Sequence, residues 1–330
     1  MNRSPSKVLS ANNLLLLGVV AKQGSLASAA RSLGMVPSAM SYRIRQMEEA
    51  LDVLLVDRKG TTRLTAAGQE LVIEGERLLN EMDAIANRIK RVATGWEPVL
   101  TIAIDSLVSR STVLDLVGHF YKDCAKALKQ LQQPFATSPT RIKIQSETLS
   151  GTWGVLAAGQ VDLAIGVVVD ESNALGLRAA PLGEVPFVFA VAPQHPLAQI
   201  DGAVSDAIIR SHRAIAVADS SRTNQTMTIG LLAGQDVLTV PDMNLKLEAH
   251  LRGLGCGFLP TVLAKPHIDA GRLLVVKTLR RPRLSRVSYA WRQTGPGSGG
   301  KGQYGLALAW WLKQLEDPKA RSALLGGRRN

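Results

Sequence analysis

From Leu14 to Gly68 the chain carries a pattern that few folds can satisfy: two short helical stretches separated by a glycine turn. Ser25 is placed to cap the first, because a serine hydroxyl accepts a hydrogen bond from the orphan amides of an opening turn. Leu26, Ala29, Ala30 and Leu33 then share one face at helical spacing. Gly34 follows the last apolar residue, where a left-handed turn is least strained without a side chain. Pro37 opens the second stretch at a position that needs no amide proton. Its inner stripe is Met40, Ile44, Met47 and Leu51, and its outer face carries Ser38, Ser41, Tyr42, Arg43 and Arg45. Helices paired in this way form a helix-turn-helix, whose second helix fits the major groove of DNA.

Two further pieces complete a small domain. A preceding helix is predicted from Leu9 to Lys22, with Leu14, Leu17 and Val20 turned inward. Beyond the second helix, Val53 to Val56 reads as a short strand leading into Asp57-Arg58-Lys59-Gly60-Thr61-Thr62-Arg63-Leu64-Thr65. A basic hairpin there would form a wing, with Arg58, Lys59 and Arg63 set along the phosphates.

Gly24-Ser25, Ala29-Ala30, Leu33, Ala39, Ser41, Ile44, Arg45, Glu48, Leu51, Leu55, Arg58, Leu64-Thr65 and Ala67-Gly68 together resemble the winged helix-turn-helix of the LysR-type transcriptional regulators. The resemblance implies a DNA-binding surface made by Ser25, Pro37, Ser38, Ser41, Tyr42, Arg43, Arg45, Arg58, Lys59 and Arg63. It also departs from the family pattern at Val36 and Pro37, where a small polar cap and a glutamine are usual. Valine cannot cap an amide and proline cannot read a base edge by hydrogen bond, so a different preferred DNA sequence is expected.

From Thr65 to Val92 there is no proline, and Leu71, Leu78, Ile85 and Val92 fall seven apart, with Met82 and Ile89 four after two of them. Such a seam suits a helix pairing with a partner chain. Leu71, Leu78, Met82, Ile85 and Ile89 are therefore the expected dimer interface, and the family resemblance adds a homotetramer. The domain boundaries expected are 1–64 for the winged domain, 65–94 for the linker helix and 95–330 for the remainder.

After Gly95-Trp96-Glu97-Pro98 the pattern changes to strands alternating with helices, which predicts βαβ units and a parallel sheet. With Asp162 to Gly166, Pro193 to Leu197 and Gly253 to Pro260, this half resembles the effector-binding region of the same family, which implies an α/β fold class: a winged helix-turn-helix, a linker helix and a two-lobed effector domain similar to a periplasmic binding protein. The resemblance further implies lobe I over about 97–168 and 270–330 and lobe II over about 169–269, joined by crossings near Val167 to Asp170 and Pro266 to Gly271. In such a cleft, strand ends and helix starts favour an anion. The expected effector-binding residues are Ser106, Arg110, Thr148, Gly166, Ser221 and Arg222, with Glu147 at the cleft edge pointing to a polar ligand.

Composition sets the remaining bounds. A chain of 330 residues, 46% hydrophobic and 20% charged, reads as soluble and globular. Its longest early apolar run, Leu14 to Ala21, is too short to span a bilayer, and its flanks are not those of a signal peptide, so a cytoplasmic location is expected. The formal charge of +12 suggests a nucleic-acid partner. Yet residues 1–95 hold 13 Lys and Arg against 9 Asp and Glu, whereas residues 265–330 hold 14 against 3. Cys124 and Cys256, far apart in sequence, make neither a metal pair nor a disulfide framework. Gly295 to Gly302 follows most of a phosphate-binding loop, but Gly302 replaces the magnesium-holding hydroxyl and no room remains for a nucleotidase domain. The histidines show no metal-ligand spacing, and no nucleophile elbow is present; neither a metal, a cofactor nor an enzymatic activity is expected. The partners expected are double-stranded DNA, an anionic or polar small-molecule effector, and a second copy of the chain, with no membrane. A small-molecule binding protein with only non-specific DNA affinity is the alternative.

Overall fold

The computed structural model describes residues 8–57, 63–130, 138–168, 176–221, 228–293 and 304–327. They form two compact units, Met1–Ala86 and Asn87–Asn330.

In the first unit, α1 (Ala11–Gln23), α2 (Leu26–Ser32) and α3 (Pro37–Leu51) close around Leu16, Leu17, Val20, Ala29, Ala30, Met40, Ile44 and Met47. Helix α1 starts two residues later than the apolar spacing suggested, because Ser10 is its cap and accepts from the amide of Asn13. Leu33, expected on the inner face, closes α2 in a non-helical turn and is 40% exposed. Likewise Val53 and Leu54 are exposed and lie outside any strand. Asp52, in a left-handed conformation, ends α3 and turns the chain so that only Leu55 and Val56 face the core.

The strands of the wing, β1 (Val56–Asp57) and β2 (Arg63–Leu64), pair antiparallel. Two devices hold them. The buried Glu48 carboxylate accepts from the amides of Leu55 and Val56 at 2.9 and 3.2 Å. Gly68, in the first turn of α4 (Ala66–Thr94), lies so close to the strand that a Cβ there would sit 2.1 Å from the Leu55 carbonyl oxygen.

In the second unit, the main sheet runs β10 (Leu274–Val275), β6 (Leu177–Val191), β11 (Arg283–Arg292), β5 (Leu163–Val167), β3 (Val99–Asp105), β4 (Arg141–Glu147), with β9 (Gly257–Pro260) also paired to β6. Strand β3 is parallel to β4 and β5, but β11 is antiparallel to both β5 and β6. The sheet is thus mixed rather than purely parallel, because the chain returns through β11 to close the lobe that it began. A second, parallel pair is β7 (Ala214–Val217) with β8 (Val237–Val240).

Helices α5 (Arg110–Gln130), α10 (Leu306–Glu316) and α11 (Pro318–Leu324) pack a core of Leu100, Ile102, Phe120, Ile165, Trp311 and Leu315. Helix α6 (Gly151–Ala157) covers the other face through Trp153 and Leu156. The other lobe holds α7 (Asp206–Arg210), α8 (Met243–Leu251) and α9 (Thr261–Asp269), with clusters about Phe189, Phe258, Leu259 and Ile215.

One crossing between the lobes is made by the long β6, whose early residues pair with β11 and whose later ones pair with β9 and β10. The return runs through the segment entering β11, whereas Pro266 to Gly271, the expected crossing, lies in and just after α9. Residues 228–233 form no helix, and Gly230 among them takes a φ of 85°.

Candidate functional sites

Helix α3 presents the expected outer face. Ser38, Tyr42 and Arg45 are exposed, and Ser41 and Arg43 half-buried. Pro37 is its first residue, and Val36 before it makes no side-chain cap and is 63% exposed. Ser25 is committed to capping α2, accepting from the Ser28 amide at 3.4 Å. Arg63 is exposed on β2, while Arg58 and Lys59 lie outside the described residues. Among the described residues, Arg43 and Arg45 make no ion pair, which leaves both guanidinium groups available to phosphate or base.

Along α4, Leu78, Met82, Ile85 and Ile89 are between 47% and 67% exposed, a continuous apolar stripe. Leu71 differs: it is half-buried against the core of the winged domain. Proximity to α1 through α3 claims that first heptad position.

The second site lies in the two-lobed unit and is built on Asp105, at the end of β3. Its carboxylate accepts from the amides of Leu107 at 2.8 Å and Leu149 at 3.0 Å. Burial pushes its pKa up to about 7, against those hydrogen bonds. Ser106 and Leu107 follow it along the wall of a cleft that Val217, Met243, Lys246 and Phe258 close from the opposite lobe. Phe187, Arg283 and Ser285 line it from the crossing strands.

Of the residues expected to hold an effector, only Ser106 lines this cleft. Thr148 is buried, and its hydroxyl donates to the Ala218 carbonyl at 2.6 Å. It belongs to a latch in which the Ser220 hydroxyl donates to Glu147 at 2.6 Å and Ser150 donates to Asp219 at 2.5 Å. Ser221 adjoins the latch, its amide donating to Asp219. Gly166 is a packing position with a φ of 92°, where a Cβ would lie 2.8 Å from that of Asp105. Arg110 is taken up by Asp242 across the lobes, at 3.1 Å, and Arg222 lies outside the described residues.

Lys246 and Arg283 were missed by the sequence reading. Lys246 is 7% exposed, and burial together with the charge of Arg283 pulls its pKa down to about 8. Arg283 places its guanidinium carbon 5.0 Å from the Phe187 ring centre and 5.9 Å from that of Phe258. Neither side chain has a carboxylate partner among the described residues.

The described residues contain no group of three His, Cys, Asp or Glu able to hold a metal. Gly295 to Gly302 lies outside them. No described helix is long and apolar enough to cross a membrane.

Comparison with known proteins places both units. Residues 11–69 match the bacterial regulatory helix-turn-helix protein of the lysR family, and residues 93–300 match the LysR substrate binding domain. The chain is 31% identical over 314 residues to the uncharacterized HTH-type transcriptional regulator YeeY of Escherichia coli, covering 95% of this chain and 94% of that protein. It is 30% identical over 308 residues to the E. coli HTH-type transcriptional regulator PunR, covering 92% of each. Among solved structures, CbnR, a LysR family transcriptional regulator, is similar over 93% of this chain and 98% of its own, with a TM-score of 0.54 at 17% identity. With both halves matched and relatives similar from end to end, the chain belongs to the family of LysR-type transcriptional regulators.

Proposed function

We propose that this regulator reads a specific duplex through the outer face of α3, works as a dimer joined along α4, and answers to a small molecule taken up between the two lobes. The observation that carries this is the exposed face of α3, where Ser38, Tyr42 and Arg45 stand over a buried Met40, Ile44 and Met47. A helix so divided is anchored on one side and offers hydrogen-bond donors and positive charge on the other. Arg43 and Arg45 supply donors suited to guanine or phosphate. Val36, exposed where the family usually has a polar cap, suits a thymine methyl group instead. Arg58, Lys59 and Arg63 add phosphate attraction. On this reading the protein works in the cytoplasm beside its DNA and has no catalytic role.

A dimer matches DNA that presents two half-sites about one helical turn, or a multiple, apart. PunR and CbnR are named as regulators, and the structure of CbnR is also known with its target DNA. The effector acts only through its preference for one arrangement of the lobes over another. The contacts it would shift include Arg110 with Asp242 and the latch about Thr148.

Titration into labelled DNA from upstream of the protein's own gene, beside a scrambled duplex, tests the reading at low and physiological salt. Preference that survives physiological salt is expected. Equal binding to both duplexes, lost with salt, would leave only phosphate attraction and defeat it.

A further inference from the structure

We propose that the cleft takes a small organic acid, its carboxylate held between Lys246 and Arg283 and its apolar body against Phe187, Phe258 and Val217. The proposal rests on the reading of this cleft as the effector site and deepens it by naming the chemical class.

The cleft carries an unbalanced positive charge. Lys246 is more than nine-tenths buried, lines the cleft, and has no carboxylate or hydrogen-bond partner among the described residues. Buried ammonium groups are costly unless paired. Arg283, a second cation, lines the same cleft and repels the first. Its aromatic neighbours, Phe187 and Phe258, attract a guanidinium but cannot neutralise it. Nearby carboxylates do not serve: Asp242 is occupied by Arg110, and Asp105 is turned onto the amides of Leu107 and Leu149. An anion entering the cleft supplies what both cations lack, in a water-poor setting where a charge-assisted hydrogen bond is strong.

The rest of the lining limits what carries that anion. Leu107, Leu149, Val217, Met243 and the two phenylalanines give it an apolar environment, while Ser106 and Ser285 offer only a few polar groups. A bare inorganic ion or a sugar phosphate would leave these apolar walls unsatisfied or bury its hydroxyls against them. An organic acid with a compact hydrocarbon body matches both parts.

The test is thermal unfolding of the full chain with matched acid and amide pairs: benzoate and benzamide, hexanoate and hexanamide, succinate and succinamide, each at millimolar concentration. At least one acid is expected to raise the midpoint while its amide does not, since ligand binding to the native state stabilises it. Lys246→Met and Arg283→Gln should each weaken that acid tenfold or more. Lys246→Met should also raise the midpoint of the protein without ligand, because the unpaired buried charge is gone.

Amides as effective as acids, no response to any of the three acids, acid stabilisation undiminished in both variants, or a lower unliganded midpoint in Lys246→Met would each overturn the assignment. The regulator reading fails separately. Loss of preference for native DNA, with the difference between acid and amide intact, would sink that reading and leave this site standing.

Discussion

The guanidinium of Arg110 lies 3.1 Å from the carboxylate of Asp242, which joins the first turn of α5 to the residue that caps α8. The two ends of this contact are not equivalent. Asp242 also accepts from the amide of Leu245 at 2.9 Å, and that bond, then Arg110, holds its carboxyl below the usual range.

Removing one end should therefore differ from removing the other. Arg110→Ala deletes a partly exposed ion pair, worth about 0.5 kcal/mol. Asp242→Ala also deletes a helix cap, worth about 1 kcal/mol more. Urea unfolding of both variants checks the order, and equal losses would mean that the cap contributes nothing. Because the pair spans the lobes, Arg110→Ala should alter ligand affinity more than it alters stability.

Glu48→Ala removes the carboxylate that satisfies two buried amides at the base of the wing. The expected loss is about 2 to 3 kcal/mol, since each orphaned amide has no water to replace its partner. Circular dichroism during denaturation measures it. A variant as stable as the parent would show that Leu55 and Val56 find other acceptors.

Met82→Glu and Ile89→Glu place a charge on the exposed stripe of α4, where these residues are 56% and 67% exposed. The mass measured by light scattering should fall to that of a single chain, while the unfolding midpoint of the winged domain stays within a degree or two. A dimeric mass in both variants would remove α4 from the interface. Leu71→Glu should behave oppositely and destabilise the winged domain, because Leu71 packs on that domain's core.

Much of the first unit was legible because its apolar residues recur with a period that only a helix satisfies. Met40, Ile44 and Met47 are fully buried as their spacing requires. The failures sit where a single backbone turn redirects the chain. Asp52 adopts φ of 54° and sends Val53 and Leu54 outward, although both are strong strand formers. The cleft was hidden for a different reason. In α8, periodicity cannot choose between Leu245 and Lys246, and hydrophobicity chooses wrongly: Leu245 is 46% exposed and Lys246 is buried. Similarly, Arg283 stands in a run with Arg280, Arg281 and Arg286 that reads as a solvated face, and only its pairing across β6 turns it toward Phe187. Residues that serve a ligand break the local rule, and for that reason sequence pattern passes over them.

The charge of the cleft should change with pH in one direction. Below pH 7 Asp105 is mainly protonated, since burial, with a smaller contribution from Asp219, raises its pKa to about 7. As pH rises through that value the cleft gains a negative charge. Near pH 8 it begins to lose a positive one, because burial and then Arg283 bring the Lys246 ammonium down to about 8. The other groups beside Lys246 do not oppose this: His250, at about 3, and Cys256, at about 11, are both uncharged between pH 6 and 9. A carboxylate ligand keeps its own charge throughout. Its affinity should therefore fall by about tenfold for each group titrated between pH 6 and 9. Stability without ligand carries the same two titrations with opposite signs. Between about pH 4 and 7 the native state holds protons on Asp105, and on Asp162 at about 6, that the unfolded chain releases, so these two groups lower stability as pH rises, while His250, brought down to about 3 by burial, contributes the opposite slope. Between about pH 8 and 10 the unfolded chain binds the Lys246 proton that the native state has released, so the Lys246 contribution to stability rises with pH, opposed above about pH 9 by Cys256, whose thiol burial pushes up to about 11. The difference in midpoint between parent and Lys246→Met isolates the lysine: it should stay flat below about pH 7 and move in favour of the parent between about pH 8 and 10. Calorimetric binding of whichever acid stabilises the protein, and unfolding midpoints for parent and variant across this range, measure the two effects. Affinity that is flat or climbs with pH would mean that Lys246 and Asp105 do not face the ligand.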